Sequence, residues 1–387
     1  MRDIRERSID ILKDKEIQKD SFSSPIFYPL PSSKGELPPL EDISFVGVPS
    51  HTIVFLNGQY HEDISFGGIE KSDLFSEGKI KCFSDLGEEA GKLIGSVAGT
   101  RNFPYSVNSL LFTDGIMIDI DTKIEKPIHI LYIYTDTNRM YTPRVFINVR
   151  EGASVDIIES TYSTVSKGYV SKVLELNQSS DSTINHYIYQ NSDMDLPTDD
   201  NRSIRISTGS IYKQSISIVH NSNYRLCEKI DEVGDNSDSS LHGTINSRGV
   251  AKVMYSTIFN MVGIGCKSYM KKNLLSSANS RLEYIGEIQI KKGSTGSIGE
   301  LLFGSLLLDS SSIKTNPNLL IEEENSKSSH GSYSSKLDKG VEFFLLSRGL
   351  SRLKICNLFL RLFKLGGLFH LNEVGTISIY KQMIKDF

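Results

Sequence analysis

The side chains best suited to nucleophilic or metal chemistry are scattered through this 387-residue chain rather than gathered. Its four cysteines, Cys82, Cys227, Cys266 and Cys356, stand singly and far apart, so no pair has the spacing of a zinc finger, a ferredoxin-type cluster or a disulfide framework. Each reads as a buried thiol. The eight histidines, from His51 to His370, are equally dispersed, and a lone histidine on a strand or loop is more often a satisfied structural residue than a ligand. Two groups of acids, Asp199-Asp200 and Glu322-Glu323-Glu324, could do acid/base work. Adjacent acids on a strand point to opposite faces, however, and a run of them usually keeps an edge solvated. The nearest approach to a nucleotide-binding loop, residues 87–93, has the wrong spacing and no hydroxyl after Lys92. Neither a G-x-S-x-G elbow nor an H-E-x-x-H pair is present. These residues predict a protein that is not an enzyme and does not hydrolyse ATP itself.

With 43 basic against 47 acidic side chains the formal charge is only -4, which argues against nucleic acid as the main partner. The opening Met1-Arg2-Asp3-Ile4-Arg5-Glu6-Arg7 places charge where a signal peptide needs an apolar stretch. No later run approaches the roughly eighteen apolar residues of a membrane span. A cytoplasmic protein with no membrane attachment and with free thiols is expected.

Three regions must position whatever chemistry there is: an N-terminal helical and mixed region over 1–104, a β core over 105–325 and a C-terminal helical region over 326–387. Ile4, Ile9, Leu12 and Ile17 suit a short amphipathic helix within residues 1–20, and the prolines from Pro25 to Pro39 form a linker. Residues 53–60 read as a strand entering an Asn-Gly turn, and residues 84–98 as a helix. In the core, period-two runs such as 116–120, 128–133, 145–149, 184–189 and 215–219 recur with turns between them and no helices, which disfavours a βαβ sheet. A sandwich, a barrel and a parallel β-helix all remain open, since no strict repeat is visible. The polar stretches 191–201 and 231–240 read as exposed loops. Leu337, Val341, Phe344 and Leu345 then lie at helical spacing, Gly349 supplies a C-cap, and a second helical run starts at Leu353. Apolar residues nearly encircle this pair, so part of its surface is expected to pack on the β body and part to await a partner.

Several strings resemble the SufB/SufD family. Val54-Phe55-Leu56-Asn57-Gly58 looks like the family's introductory strand. Asn108-Ser109-Leu110-Leu111-Phe112-Thr113-Asp114-Gly115-Ile116, continued by Glu125-Lys126-Pro127-Ile128-His129-Ile130, looks like its opening coils, and Glu151-Gly152-Ala153-Ser154 fits the next. Pro317-Asn318-Leu319-Leu320-Ile321, Ser329-His330-Gly331 and Phe343-Phe344-Leu345-Leu346-Ser347-Arg348-Gly349 follow in the family's order, so the resemblance covers about residues 50–365. His330-Gly331-Ser332 is similar to the His-Gly-Ala of SufD-like chains rather than the His-Glu-Ala of SufB-like ones. Two departures stand out. Ser328 occupies the place of the family's usual cysteine, and residues 195–300 match loosely.

The resemblance implies a mainly β fold, a right-handed parallel β-helix flanked by N- and C-terminal helical regions. It implies a non-enzymatic scaffold of iron-sulfur cluster assembly that pairs edge to edge with a SufB-like subunit. A SufC-like ABC ATPase would dock on Phe343, Phe344, Leu345, Arg348, Gly349 and Leu350 and, on closing around ATP, pull the helices so that the paired interface opens. On this reading the chain binds no cofactor stably. His330 would touch a transient iron-sulfur cluster at the SufB interface, and ligation through Ser328 is not expected. Two alternatives stay open: a β-helical carbohydrate-active enzyme, which needs carboxylates clustered on adjacent coils, and a homo-oligomer stacked end to end.

Overall fold

A computed structural model describes residues 29–31, 50–61, 73–98, 103–113, 115–190, 195–336, 338–351 and positions 354, 355, 358, 359, 362 and 363. The helix expected over residues 1–20, most of the proline-rich linker and Cys356 lie outside the described residues.

Strand β1 (His51–Leu56) turns at Asn57 and Gly58 into the antiparallel β2 (Gln59–His61). Both turn residues have positive φ, 51° and 79°, as the twist-matched two-residue hairpin requires. After β3 (Ile80–Cys82) come helices α1 (Phe83–Leu86), α2 (Glu88–Leu93) and α3 (Phe103–Leu111). Residues 84–98 are therefore not one helix: Gly87, at φ 54° and ψ -118°, breaks the run in a conformation that glycine alone adopts freely. Nor does the chain open its coils at residue 105, because α3 intervenes. The strands then follow as β4 (Ile116–Ile120), β5 (Ile128–Tyr134), β6 (Arg139–Tyr141), β7 (Arg144–Val149), β8 (Ser154–Ser163), β9 (Gly168–Gln178) and β10 (Thr183–Gln190). They continue as β11 (Thr198–Ile206), β12 (Ile211–His220), β13 (Tyr224–Glu232), β14 (Asp238–Ser247), β15 (Lys252–Met261), β16 (Lys267–Ser276), β17 (Arg281–Ile290), β18 (Ile298–Leu307), β19 (Ser312–Ile321) and β20 (Lys327–Lys336). Helix α4 (Lys339–Ser347) closes the series.

From β7 onward the chain alternates between two ten-stranded sheets, ordered β2-β1-β5-β8-β10-β12-β14-β16-β18-β20 and β19-β17-β15-β13-β11-β9-β7-β4-β3 with β6 beside β9. Along the coils all pairing is parallel, so the expected parallel β-helix is what forms. Thr198 lies beside Tyr224 and Arg281 beside Ser312, offsets of 26 and 31 residues, and 29 is the common value. Corners repeat as well. Gly152, Asp181, Gly209, Asn236, Gly265 and Gly296 all take positive φ, and each precedes a small buried residue, Ala153, Ser182, Ser210, Ser237, Cys266 and Ser297. The limits set from the sequence need correction. β1 and β2 already belong to the first sheet, and residues 327–336 are the last strand of the solenoid rather than part of a helical tail. Likewise residues 198–201, 231–232 and 238–240 are strand positions, not loops, and Asp199, Asp200, Glu232 and Ser239 find partners within the body.

Period-two alternation gives every strand an inner and an outer face. Between the sheets Tyr255 stacks on Tyr284 at 5.5 Å, Tyr284 meets Phe303 at 5.0 Å, and Phe259 and Ile288 are sealed from solvent. On the outside of the second sheet, Arg144 fastens α3: it pairs with Glu175 (2.7 Å) and donates to Tyr105 Oη, Asn108 Oδ1 and Ser109 Oγ. Truncating Phe259 to alanine should cost about 3–5 kcal/mol in denaturant unfolding, whereas Phe343→Ala on exposed α4 should change stability by less than about 0.5 kcal/mol.

Candidate functional site

Charged residues occupy inner-face positions of five strands, β8, β9, β11, β13 and β16. Glu159 on β8 accepts from Lys172 on β9, from Arg202 on β11 (2.7 Å) and from His186 Nε2 on β10 (2.8 Å). Arg202 also pairs with Asp200 at 2.8 Å, which accepts from Tyr224 Oη at 3.0 Å. Gln214 extends the array by donating to Glu228 Oε1 (2.6 Å), Thr257 donates to Glu228 Oε2 (3.3 Å), and Lys272 Nζ reaches Gln214 Oε1 (3.4 Å). From β8 to β16 this is four strand spacings, roughly 19 Å along the solenoid. Three cations, Lys172, Arg202 and Lys272, face three carboxylates, Glu159, Asp200 and Glu228, and all are buried. Burial alone would raise the Glu159 pKa, but Arg202, Lys172 and the bond from His186 hold it well below the usual carboxylate range. Burial pushes the Lys272 ammonium down to about 8, against the attraction of Glu228. Because its members come from different coils, the array fixes how the coils stack.

One further carboxyl lies at a corner. Glu232 accepts from Ser239 and from Ser268 (3.0 Å), and burial pushes it up to about 8 although both hydroxyls pull the other way. His129 and His220 are also enclosed, beside Ser160 Oγ (2.6 Å) and Tyr255 Oη (2.8 Å), and burial lowers them to about 4 and about 3.

The C-terminal end of the solenoid is different in kind. β19 and β20 are the edges of their sheets, and most of their side chains are exposed. His330 lies in register with Leu301 and, behind it, Met270, both core residues. It therefore continues an inward-facing row at the open mouth of the solenoid. Ser328 shares that face two residues away, and among the described residues no three His, Cys, Asp or Glu side chains are grouped to hold a metal ion. Beyond this coil Asp338 caps α4 by accepting from Val341 N at 2.9 Å. Gly349, at φ 83°, ends the helix through its N–H bond to Leu346 O (3.0 Å). Phe343 is 74% and Phe344 54% exposed, Arg348 stacks on the Phe344 ring at 5.1 Å, and Leu345 and Leu350 are half-buried. The structure thus gathers Phe343, Phe344, Leu345, Arg348, Gly349 and Leu350 on one short helix and the turn that ends it. Farther on, Ile355 is buried and Phe363 O accepts from Asn273 on the outer face of the first sheet (2.6 Å), so the following segment packs back on the body.

Residues 132–363 match the family model described as SUF system FeS cluster assembly, SufBD core domain. The chain belongs to the SufBD family. That match runs from β5 through every later coil, β20 and α4. Two iron-sulfur cluster assembly SufBD family proteins of Synechocystis are each 23% identical to it, over 319 and 322 residues. These alignments cover 77% and 75% of this chain and 69% and 64% of the relatives. The chloroplastic protein ABCI7 of Arabidopsis thaliana is 22% identical over 261 residues, covering 64% of this chain and 54% of its own length. Membership places this SufBD protein in iron-sulfur cluster assembly. Among the described residues no helix is long and apolar enough to cross a membrane.

The interior charges escaped sequence reasoning, although a signal existed: Lys172 shares a period-two face with Val170, Leu174 and Leu176, where a lone surface lysine has no place. Two outcomes follow. Glu159→Gln leaves Lys172 and Arg202 short of a counter-carboxylate and should lower unfolding free energy by about 3–5 kcal/mol, seen as a lower denaturant midpoint at unchanged slope. Because Glu232 keeps its proton in the folded state up to about pH 8 while the unfolded chain loses it near the ordinary 4.5, folding is progressively opposed as pH rises between these values. Measured stability relative to Glu232→Gln should fall across that window by at most about 1.4 kcal/mol per pH unit. A pH-independent difference would contradict the burial argument.

Proposed function

We propose that this SufBD protein is a non-enzymatic, SufD-like scaffold that works inside a complex with a SufB-like subunit and a SufC-like ABC ATPase. The observation that carries this reading is the end of the solenoid: two edge strands, each paired on one side only among the described residues, followed at once by a helix with exposed aromatics. An unpaired edge is a template for strand addition, and a partner with a matching edge would bury the row containing His330. Helix α4 supplies the second surface. Phe343 and Phe344 offer rigid apolar anchors, and Arg348, stacked on Phe344, offers a charge to an acidic rim on the ATPase.

The iron-sulfur cluster is cargo here. His330 carries an imidazole suited to iron, and on this reading it contributes one ligand while the SufB-like chain contributes the others. Closure of two ATPase subunits on ATP would displace α4, and the stiff stack of coils would carry that displacement to the paired edges. Pro317 fits an edge strand, where a missing N–H does least harm to the ladder.

Co-purification with the host's SufB-like and SufC-like chains is the test. Phe344→Asp and Arg348→Glu should each release the ATPase and leave the SufB-like partner bound, and His330→Ala should lower iron recovered with the complex without dissolving it. If neither partner is retained by the wild-type chain, the scaffold reading fails.

A further inference from the structure

The outer face of the second sheet holds a cavity of about 190 Å³ between α3 and strands β11, β13 and β15. Asn201, Cys227 and Ser256 line it as one in-register row across three adjacent strands, and Tyr105 of α3 and Lys229 wall it. They face outward because their strand neighbours Leu226, Glu228, Tyr255 and Thr257 face in. Asn201 is only 5% exposed, yet among the described residues neither its Nδ2 nor its Oδ1 has a partner. A buried carboxamide with both halves unsatisfied is rare, and one group that completes both must offer an acceptor and a donor side by side. A peptide or carboxamide group does so. Next in the row Cys227 is half-buried and outside any disulfide. Along its own strand and on the same face it is flanked by Arg225 and Lys229, paired with Asp199 (2.7 Å) and Asp231 (2.9 Å).

We propose that Cys227 is a modification site that forms a mixed disulfide with a small peptide-like thiol, whose amide pairs with Asn201 in this cavity. In the exchange, Cys227 gives its proton to water and the thiolate attacks one sulfur of a low-molecular-weight disulfide. The new S–S bond forms as the old one breaks, and the other half leaves as a thiolate that takes a proton from water. The incoming disulfide is the only oxidant required. Cys266, by contrast, is sealed within a corner, and Cys82 lies apart from this row.

The test uses the full chain with glutathione disulfide or with hydroxyethyl disulfide, which carries no amide, and follows each cysteine by peptide mass over time. Glutathione should reach Cys227 before Cys82 or Cys266. Asn201→Ala should slow that transfer about tenfold, the worth of one or two hydrogen bonds, and leave transfer from hydroxyethyl disulfide unchanged. Should Asn201→Ala fail to fold, Ser256→Leu fills the same cavity and should block glutathione at Cys227 while the Cys82 rate holds. Equal slowing of both disulfides by Asn201→Ala, unchanged glutathione transfer in Ser256→Leu, or a Cys227 that reacts no faster than Cys82 overturns the proposal.

Discussion

A side chain that points into this solenoid has no water to turn to, and the placement of every charge on the inner faces depends on that constraint. Three carboxylates and three cations within four strand spacings would each be prohibitive alone; together they cancel, and hydroxyls and Gln214 take up further valences. The partners come from different coils, so Glu159 on β8 and Arg202 on β11 satisfy one another only if β8 to β11 are stacked in their native register. Apolar neighbours such as Leu174 and Ile204 would tolerate a slip far better. Specificity of stacking therefore rests on the charges and cohesion on the apolar residues around them.

The sequence made some of this legible. Period-two runs located most strands, and Asn57-Gly58 marked the hairpin because its backbone demands positive φ. Gly349 was recognisable as a helix terminator for the same reason. The repeat was not recognised because it is carried by corners rather than by strands: Gly152-Ala153, Asp181-Ser182, Gly209-Ser210, Asn236-Ser237, Gly265-Cys266 and Gly296-Ser297 share a backbone shape and a size class, not an identity. Polar ladders tell the same story, since Asp119, Asn148 and Asn177 bond in sequence at a constant offset of 29 residues. Acids at Asp199 and Asp200 were read as solvated; they do point to opposite faces, but Arg225 waits on one side and Arg202 on the other. Long-range pairing of that kind has no local signature. His330 was identifiable only through resemblance, because its residue type says nothing of its place at the mouth of the solenoid.

The two ends of the body are built for different fates. At the first end the antiparallel strands β2 and β3 lie beyond the parallel stack, and α3 lies across the outer face of β9 and β11. At the other, the inward row of β20 is Ser328, His330, Ser332 and Ser334, which can meet water, while β19 leaves Leu320 and Ile321 exposed. Half of that mouth is therefore tolerable to solvent and half is not. In the proposed pairing, this asymmetry would let the chain persist alone and still gain from the meeting.

Corner-to-corner alternation also limits how such a chain can change length. One residue added inside β13 would turn the rest of that strand over, sending Glu228 or Ile230 outward and an arginine or lysine inward. The same residue added at a corner is absorbed there, as the offsets of 26 and 31 residues already demonstrate. Insertions and deletions should therefore accumulate at corners or arrive as whole coils of about 29 residues, each moving one end of the molecule away from the other by roughly 4.8 Å. Lineages with this architecture would lengthen by duplicated rungs, and their alignments would show gaps in step with the coil.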